Sequence, residues 1–299
     1  MNTATLNTNR FWAYLQLMRP ANIITAWADV LAGIAASGFA ILDNPIPVIW
    51  LLFATTGLYG GGVVFNDVFD AELDAKERPE RPIPSARVSL WEATFLGSIL
   101  LTIGVIAAAQ VSLVSLSIAC GVAAAALLYD AYGKHHTFFG PLNMGICRGG
   151  NLLLGVSILS PMLRESWYLA LIPIIYIAAI TAISQGEVHG GKRSTGIFAL
   201  ILMGVVITEI LTLGWVNKSY FVSVLLFVIL LSSRVLLPFI RAVRQPSAEN
   251  IRMAVRSGIL SLIVLDATVS CSFAGLTYGL LMLSLLPTSM ALAKLFSVT

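Results

Sequence analysis

The segment Leu58 to Arg87 reads LYGGGVVFNDVFDAELDAKERPERPIPSAR, and within it an apolar run gives way to a dense group of charges. Six of the chain's fifteen acidic residues lie between Asp67 and Glu80. The whole chain of 299 residues is 58% hydrophobic and only 11% charged. Soluble domains carry about 25% charged residues, so the composition predicts an integral membrane protein and makes the acidic group a candidate site.

Apolar stretches on both sides of this segment are long enough to cross a bilayer, which takes about 20 residues of helix. They predict an all-α membrane protein in which residues 1–299 form a single polytopic domain, a bundle of about nine transmembrane helices. The predicted spans are 21–41, 46–65, 92–110, 113–129, 140–160, 167–186, 196–216, 219–239 and 258–286. The N-terminal residues lack an apolar core followed by a cleavage site, so we expect no signal peptide.

Lysine and arginine are distributed unevenly between the two sides of the predicted bundle. Thirteen of the eighteen lie on the side that holds the N-terminus and the loops after the second, fourth, sixth and eighth spans. The positive-inside rule therefore predicts a multi-pass protein of the inner or cytoplasmic membrane, with a cytoplasmic N-terminus and cytoplasmic charged loops. The lipid bilayer is then its surroundings. We expect no nucleic-acid partner, and the sequence identifies no protein partner.

The acidic group begins where the second predicted span ends, and its spacing suits one face of a helix. Residues four apart on a helix lie about 5–6 Å from each other, so Asn66, Asp70 and Asp74 would share a face, with Asp67 beside them. The helix would continue until Pro79 interferes. Carboxylates held this way repel each other unless a cation lies between them, and Mg²⁺ binds through one or two carboxylates together with substrate phosphates. The pattern favours a metal–phosphate site.

Two other interpretations fit parts of the same segment. A solvated helix end would be stabilised by acid-before-base pairs four residues apart, and there are three: Glu72 with Lys76, Asp74 with Arg78, and Glu77 with Arg81. This accounts for the two glutamates but not for aspartate recurring on one face, since aspartate is a weak helix former. A calcium-binding loop of the EF-hand type requires glycine at its sixth position, where this chain has Ala71.

The sequence NDVFDAELDAKERPERPIPSARVS, residues 66–89, resembles the first aspartate-rich motif of the UbiA family of intramembrane prenyltransferases. That motif has the form N-D-x-x-D-x-x-x-D followed by R-x-x-R-P. LMRPANIITAW, residues 17–27, is similar to the family's opening helix, and LLYDAYGKHHTFFGPLNMGICRGGNLLLG, residues 127–155, to its fourth-to-fifth helix connection. The resemblance covers most of the chain, implies a UbiA-like bundle of nine helices, and points to the EboC-like branch as a candidate subgroup.

The resemblance implies a Mg²⁺-dependent prenyltransferase, which transfers a prenyl group from a prenyl diphosphate to a lipophilic or aromatic acceptor within the membrane. By the same resemblance, Asn66, Asp67, Asp70 and Asp74 would bind Mg²⁺. The metal would neutralise the diphosphate as it leaves. Asp70 and Asp74 thereby become candidate catalytic residues, and Asn66 a candidate substrate-binding residue as well.

Four further residues receive roles from the resemblance. Arg78, Arg81 and Lys134 would bind phosphate oxygens, arginine through paired hydrogen bonds and lysine as a point charge. Tyr129 would stabilise positive charge on the allylic carbon through the face of its ring. Tyr129 and Lys134 complete the candidate catalytic set. On the residues alone, Lys134 is equally well explained as a positively charged loop residue.

The second family motif is incomplete in this chain. It has the form D-x-x-x-D followed by x-x-x-G-K-x-T, and the corresponding residues 182–195 read AISQGEVHGGKRST. Aligning on Gly191 and Lys192 places Ile183 at the first aspartate and Glu187 at the second. Lys192 is then a candidate substrate-binding residue and Glu187 a candidate metal ligand. The sequence leaves open an enzyme that uses Glu187, an enzyme with a different acceptor or a single metal, and a non-catalytic protein that binds or transports an isoprenoid or hydrophobic metabolite.

Charged side chains also fall at predicted membrane depth, where a charge at the bilayer centre costs about 2.5–3.5 kcal/mol. Arg148 continues a polar stripe with Asn143 and Asn151, as expected if the stripe lines a cavity for the acceptor or the diphosphate. We therefore predict Asn143 and Arg148 to be substrate-binding residues. The alternative is a buried ion pair of Arg148 with Asp29 or Asp266.

Overall fold

The computed structural model describes residues 10–296, without the side chain of His135, and this part of the chain contains helices and no strands. Residues 1–9, which bear on the predicted N-terminus and signal peptide, lie outside it. The α-helices are α1 (Arg10–Met18), α2 (Pro20–Ser37), α3 (Ile46–Phe69), α4 (Ala71–Glu77), α5 (Leu90–Ala109), α6 (Leu113–Ala131), α7 (Phe139–Val156), α8 (Leu163–Ser166), α9 (Leu171–Ser184), α10 (Arg193–Val216), α11 (Phe221–Arg244), α12 (Ala248–Leu283) and α13 (Leu285–Leu295). Short 3₁₀-helices cover Gly133–His135, Ser157–Met162, Trp167–Ala170 and Lys218–Tyr220.

By length and composition, seven helical stretches of the described chain are long and apolar enough to cross a membrane. One of them, Phe139–Ser184, contains both α7 and α9, which the sequence predicts as two spans. The first predicted span corresponds to α2, which is not among the seven because Asn22 and Asp29 lower its hydropathy. Every predicted span thus coincides with a helix, and the predicted all-α membrane fold is confirmed.

Four helices form a closed ring around the interior. α2 packs against α7 and α12, and α9 completes the ring by packing against the same two helices. α3 and α6 close one side of this ring, since α3 contacts α2, α5 and α6, and α6 contacts α7. The loops 70–89, 132–138, 185–192 and 245–247 meet at one end of the bundle, which we call the charged end.

The helix that carries the acidic group bends where the spacing predicts that it continues. α3 ends at Phe69 and α4 begins at Ala71, and Asp70 between them has φ −91° and ψ 3°. Its backbone N–H still donates to the carbonyl oxygen of Asn66 at 3.0 Å, so the chain bends without losing that bond. The expected uninterrupted helix with Asn66, Asp70 and Asp74 on one face is therefore wrong. The carboxyl groups of Asp70 and Asp74 instead bond different cations, Lys134 and Arg81.

Two glycines allow α2 and α7 to approach each other closely. A Cβ atom added at Gly155 would lie 2.0 Å from the carbonyl oxygen of Val30, and one added at Gly33 would lie 2.1 Å from that of Leu152. Small residues permit such backbone contact between membrane helices. This contact brings the middle of α2, with Asp29, against the polar stripe of α7.

We expect Gly155→Ala to lower the free energy of unfolding by about 3 kcal/mol, because the added methyl group must push α2 and α7 apart. The matched control is Gly121→Ala in α6, where an added Cβ meets nothing within 4 Å. Denaturant titration of both variants in detergent micelles measures the difference. Equal stability of the two variants would contradict the close approach of these helices.

Candidate active site

An elongated cavity of about 280 Å³ runs from the charged end into the bundle. Its wall is mostly apolar and comes from α2, α3, α6, α7, α9 and α12. The polar and charged residues on this wall are Arg19, Asn22, Tyr59, Asn66, Asp70, Arg78, Arg81, Tyr129, Asp130, Arg148, Asn151, Thr181, Ser184 and Glu187. The cavity therefore suits a molecule with an apolar body and polar groups at defined points.

A second space of about 480 Å³, which we call the vestibule, adjoins the cavity at the charged end. Five arginines line it together with four carboxylates, so cationic groups are in slight excess: Arg19, Arg78, Arg81, Arg87 and Arg252 against Asp67, Glu77, Glu80 and Glu187. Arg19, Arg78, Arg81 and Glu187 line both spaces and mark their junction. A ligand whose anionic head group lies at the junction would place its apolar part in the cavity.

A network of ion pairs fixes two of the three arginines at this junction, Arg19 and Arg81. Asp67 accepts from Arg19 at 2.7 Å and from Arg81 at 3.3 Å, and Asp74 accepts from Arg81 at 2.7 Å. Both carboxylates are buried, and neither lines the cavity. Burial raises the pKa of Asp74, and the hydrogen bond from Arg81 opposes that shift. Asp67 and Asp74 thus position arginines in this structure.

Asn66 and Asp70 face the cavity and are held by residues of the neighbouring helix α6 and the loop that follows it. Asp70 accepts from Lys134 Nζ at 2.5 Å, and Asn66 donates to Asp130 at 3.0 Å. Lys134 Nζ also lies 6.0 Å from the centre of the Phe69 ring. These pairs connect the bend after α3 to the end of α6 and the loop that follows it.

Glu187 lies in the turn after α9, at the position that the second motif indicated. One of its carboxyl oxygens is buried and has no hydrogen-bond partner among the described residues. Burial raises the pKa of this carboxyl group, and the nearby Arg78 and Arg252 oppose the shift. Ile183, at the other predicted ligand position, is buried and apolar. Only one of the two positions therefore supplies an oxygen.

The predicted metal ligands do not form a preformed cage. The described residues contain no group of three or more His, Cys, Asp or Glu side chains arranged to hold a metal ion. Asn66, Asp70 and Glu187 nevertheless present oxygen atoms to the same cavity, and Glu187 has a buried oxygen without a partner. Mg²⁺ keeps several waters and takes one or two carboxylates together with substrate phosphates, so these three residues fit the ion when a phosphorylated ligand is bound.

The other predicted site residues occupy different places. Tyr129 lines the cavity next to Asp70, whereas Lys134 reaches the cavity only through its bond to Asp70. Lys192 is exposed and lines neither space. Asn143 is buried outside the cavity, and its Nδ2 has no hydrogen-bond partner among the described residues.

Arg148 satisfies both of its predicted alternatives, because it lines the cavity and forms a buried ion pair. It donates to Asp29 at 2.6 Å and to the hydroxyl of Thr25 at 2.6 Å, while the Tyr59 ring centre lies 5.2 Å from its guanidinium carbon. Asn151, one turn further along α7, donates to the same Asp29 oxygen at 3.0 Å.

Sequence reasoning missed Asp130, Arg19 and Tyr59. Asp130 is buried and follows Tyr129 directly, so its position beside a candidate residue is the signal that could have found it. Arg19 precedes the proline that begins α2, and its backbone φ of 48° turns the chain at that point. Tyr59 carries no motif, and only the fold brings it to Arg148.

The comparisons of this chain with known proteins agree on one family. The family model described as UbiA prenyltransferase family matches residues 23–254. A digeranylgeranylglyceryl phosphate synthase from Methanospirillum hungatei is 28% identical over 267 residues, which is 83% of this chain and 92% of that protein. The synthase of the same name from Methanothrix thermoacetophila is 33% identical over 147 residues, and this chain spans only about half of it, 55%.

Solved structures with the same fold include two archaeal proteins. The apo structure of a UbiA homolog from Aeropyrum pernix K1 has a TM-score of 0.69 at 18% identity, covering 83% of this chain and 96% of that one. A UbiA homolog from Archaeoglobus fulgidus bound to DMAPP and Mg²⁺ has a TM-score of 0.58 at 14% identity, covering 82% and 98%. At these identities the likeness shows the shared fold.

Proposed function

Because the chain belongs to the UbiA prenyltransferase family, we propose that it transfers a prenyl group from a prenyl diphosphate to a lipophilic or aromatic acceptor within the membrane, with Mg²⁺ as cofactor. The observation that carries this proposal is the junction of an apolar cavity with an arginine-lined vestibule. A prenyl diphosphate is an amphiphile of that form. The diphosphate would lie at Arg78 and Arg81, and the isoprenoid would extend into the cavity.

The residues at the junction would act on the diphosphate in different ways. Arg78 and Arg81 present planar guanidinium groups, which suit paired hydrogen bonds to phosphate oxygens. Asp67 and Asp74 hold Arg81 in place through the ion pairs described above. Lys134 would orient Asp70, or transfer its hydrogen bonds to the phosphate once Asp70 binds a cation.

Asn66, Asp70 and Glu187 would bind Mg²⁺ together with phosphate oxygens. The bound ion would act as a Lewis acid that stabilises the negative charge of the leaving diphosphate. Tyr129 lines the cavity beside this position, where its ring face would stabilise positive charge left on the allylic carbon. A UbiA homolog of the same fold, from Archaeoglobus fulgidus, has been solved with DMAPP and Mg²⁺ bound, which supports pairing a prenyl diphosphate with Mg²⁺ in this proposal.

The charged end would face the cytoplasm, because thirteen of the eighteen lysines and arginines lie in the N-terminal segment or in the predicted loops after the second, fourth, sixth and eighth spans, which are on this side. The diphosphate would then enter through the vestibule from the aqueous side, while the acceptor would come from the lipid.

One observation favours a second function, in which the protein binds or carries an isoprenoid without converting it. Ile183 removes one of the two carboxylates of the second motif, and positive metal charge at a diphosphate needs negative ligands to offset it. The two functions differ in whether a labelled prenyl diphosphate yields a labelled product. To test this, the labelled donor and Mg²⁺ are incubated with the purified protein and lipid extract. If the protein is an enzyme, we expect a labelled prenylated product that forms only when the protein is present.

We expect Glu187→Gln to weaken Mg²⁺-dependent binding of geranylgeranyl diphosphate about tenfold, because the amide keeps the shape of the side chain but loses its negative charge. Titration calorimetry in nanodiscs with and without Mg²⁺ measures this loss. Glu249→Gln at the start of α12 is a matched control, since Glu249 lines neither space. Equal Mg²⁺ dependence in the two variants would remove Glu187 from the metal site.

A further inference from the structure

The cavity contains a second polar region away from the junction, formed by α7 and α3 and backed by α2. Arg148 and Asn151 form part of the wall, and Tyr59 covers one face of the Arg148 guanidinium. Asn151 is held in one orientation, because it donates to Asp29 and to the carbonyl oxygen of Ala26 and accepts from the hydroxyl of Thr55. The region is thus rigid and hydrogen-bonded rather than loosely packed.

A second carboxyl group lies behind this wall. Asp266 on α12 is 1% exposed, and its carboxyl group lies beside that of Asp29 and interacts with the charge of Arg148. Apart from that neighbour, neither carboxyl oxygen of Asp266 has a hydrogen-bond partner among the described residues. One guanidinium therefore faces two carboxyl groups.

Arg148, Asp29 and Asp266 together determine the net charge of the region. Asp29 is paired with Arg148 at 2.6 Å and balances its charge. The three groups together carry a net charge of zero if Asp266 holds a proton and of minus one if it does not. In neither case does the region offer the net positive charge that an anionic group requires.

An isoprenoid chain cannot account for these groups, because an apolar chain makes no hydrogen bonds and would leave the N–H donors of Arg148 beyond its bonds to Asp29 and Thr25 unsatisfied. The diphosphate has its own arginines at the junction. Of the two substrates of a prenyl transfer, the acceptor is then the one that brings a polar group into the cavity beside the isoprenoid.

Resting on the proposed function, we propose that Arg148, Asn151 and the two carboxyl groups behind them bind the polar group of the acceptor, and that they select acceptors in which this group is uncharged. Hydroxyl and carbonyl groups can accept from the free donors of Arg148 without meeting like charge. A carboxylate or phosphate would approach Asp29 and Asp266, and juxtaposed like charges at a buried site cost several kcal/mol.

Equilibrium binding to the full-length protein in nanodiscs tests this proposal independently of turnover. Two matched probe pairs differ in charge: 4-hydroxybenzyl alcohol against 4-hydroxybenzoate, and geranylgeranylglycerol against its phosphate. We expect the wild-type protein to bind the neutral member of at least one pair at least about tenfold more tightly. Asp29→Asn combined with Asp266→Asn leaves Arg148 uncompensated and should shift the preference toward the anion.

Three results would overturn the proposal: equal binding within both pairs, tighter binding of the anions, or no binding of any probe. If the double variant does not fold, Asp29→Asn alone removes the carboxylate that balances Arg148 and should shift the preference in the same direction. Glu209→Gln is the control, because Glu209 lines a separate cavity on α10 and its loss should leave the preference unchanged. Absence of turnover with an intact neutral preference would refute the proposed enzyme but not this site.

Discussion

Replacing Asp70 by asparagine is expected to lower the rate of diphosphate release at least about a hundredfold, the loss typical when one group that stabilises transition-state charge is removed. Asp70 is the carboxylate of the acidic segment that faces the cavity, at the bend between α3 and α4. Asparagine keeps the shape but not the charge needed to bind Mg²⁺, and it also reduces the 2.5 Å ion pair with Lys134 to a hydrogen bond to a neutral oxygen. Initial rates with saturating geranylgeranyl diphosphate and Mg²⁺ measure the effect.

The matched control for Asp70 is Glu72→Gln, two residues along the same segment. Glu72 is exposed and lines neither the cavity nor the vestibule, so its charge should have little effect on turnover. A rate for Asp70→Asn that equals the rate for Glu72→Gln would exclude Asp70 from the metal site.

The second large effect is expected at Arg81, which lines both spaces and bonds two buried carboxylates. Arg81→Leu removes a phosphate ligand and should weaken diphosphate binding at least about thirtyfold, since charge-assisted bonds are about twice as strong as neutral ones. It also leaves Asp74 without the ion pair at 2.7 Å, so the free energy of unfolding should fall by about 3 kcal/mol. Binding and denaturant titrations measure the two losses separately.

Arg81→Lys separates the two roles of this residue. Lysine keeps the positive charge between Asp67 and Asp74 but lacks the planar fork of arginine, so most of the stability should return while binding stays weak. Arg193→Leu, at an exposed position that lines neither space, is the control for loss of a basic residue. Full recovery of binding in Arg81→Lys would argue that Arg81 only maintains the fold.

The helices could be predicted because each span is a local pattern of apolar residues. The cavity-facing positions of Asn66 and Asp70 also follow from local spacing, since the backbone N–H of Asp70 still donates to the carbonyl oxygen of Asn66, one turn earlier, although the chain bends at Asp70. Asp74 lies beyond the bend, so the four-residue helical spacing does not predict which way its side chain faces. The position of Arg81, seven residues further on, decides which way Asp74 faces.

Pairings between distant residues could not be predicted in the same way. Arg148 and Asp29 are 119 residues apart, and nothing local distinguishes Asp29 from Asp266 as the partner. The close contact of α2 and α7 at Gly33 and Gly155 makes the choice, because it places Asp29 directly against α7. Asp130 was missed for a related reason, since its partner Asn66 is 64 residues away.

Lys192 shows the limit of carrying roles over from a motif. The match to the family's second motif predicted a substrate-binding lysine, but the side chain is exposed and lines neither space. Glu187, five residues earlier in the same motif, lies at the junction with a buried oxygen that lacks a partner. The same segment thus supplies one residue that is placed for binding and one that would have to move to reach a ligand.

The most direct test of the account is release of diphosphate from geranyl, farnesyl and geranylgeranyl diphosphates by the purified protein in lipid, with membrane extract as the source of acceptor. We expect release that requires Mg²⁺, depends on the extract, and is lost in Asp70→Asn. Tight Mg²⁺-dependent binding of all three donors without release of diphosphate from any of them would contradict it, and would mean that the site at Arg78 and Arg81 holds isoprenoids without converting them.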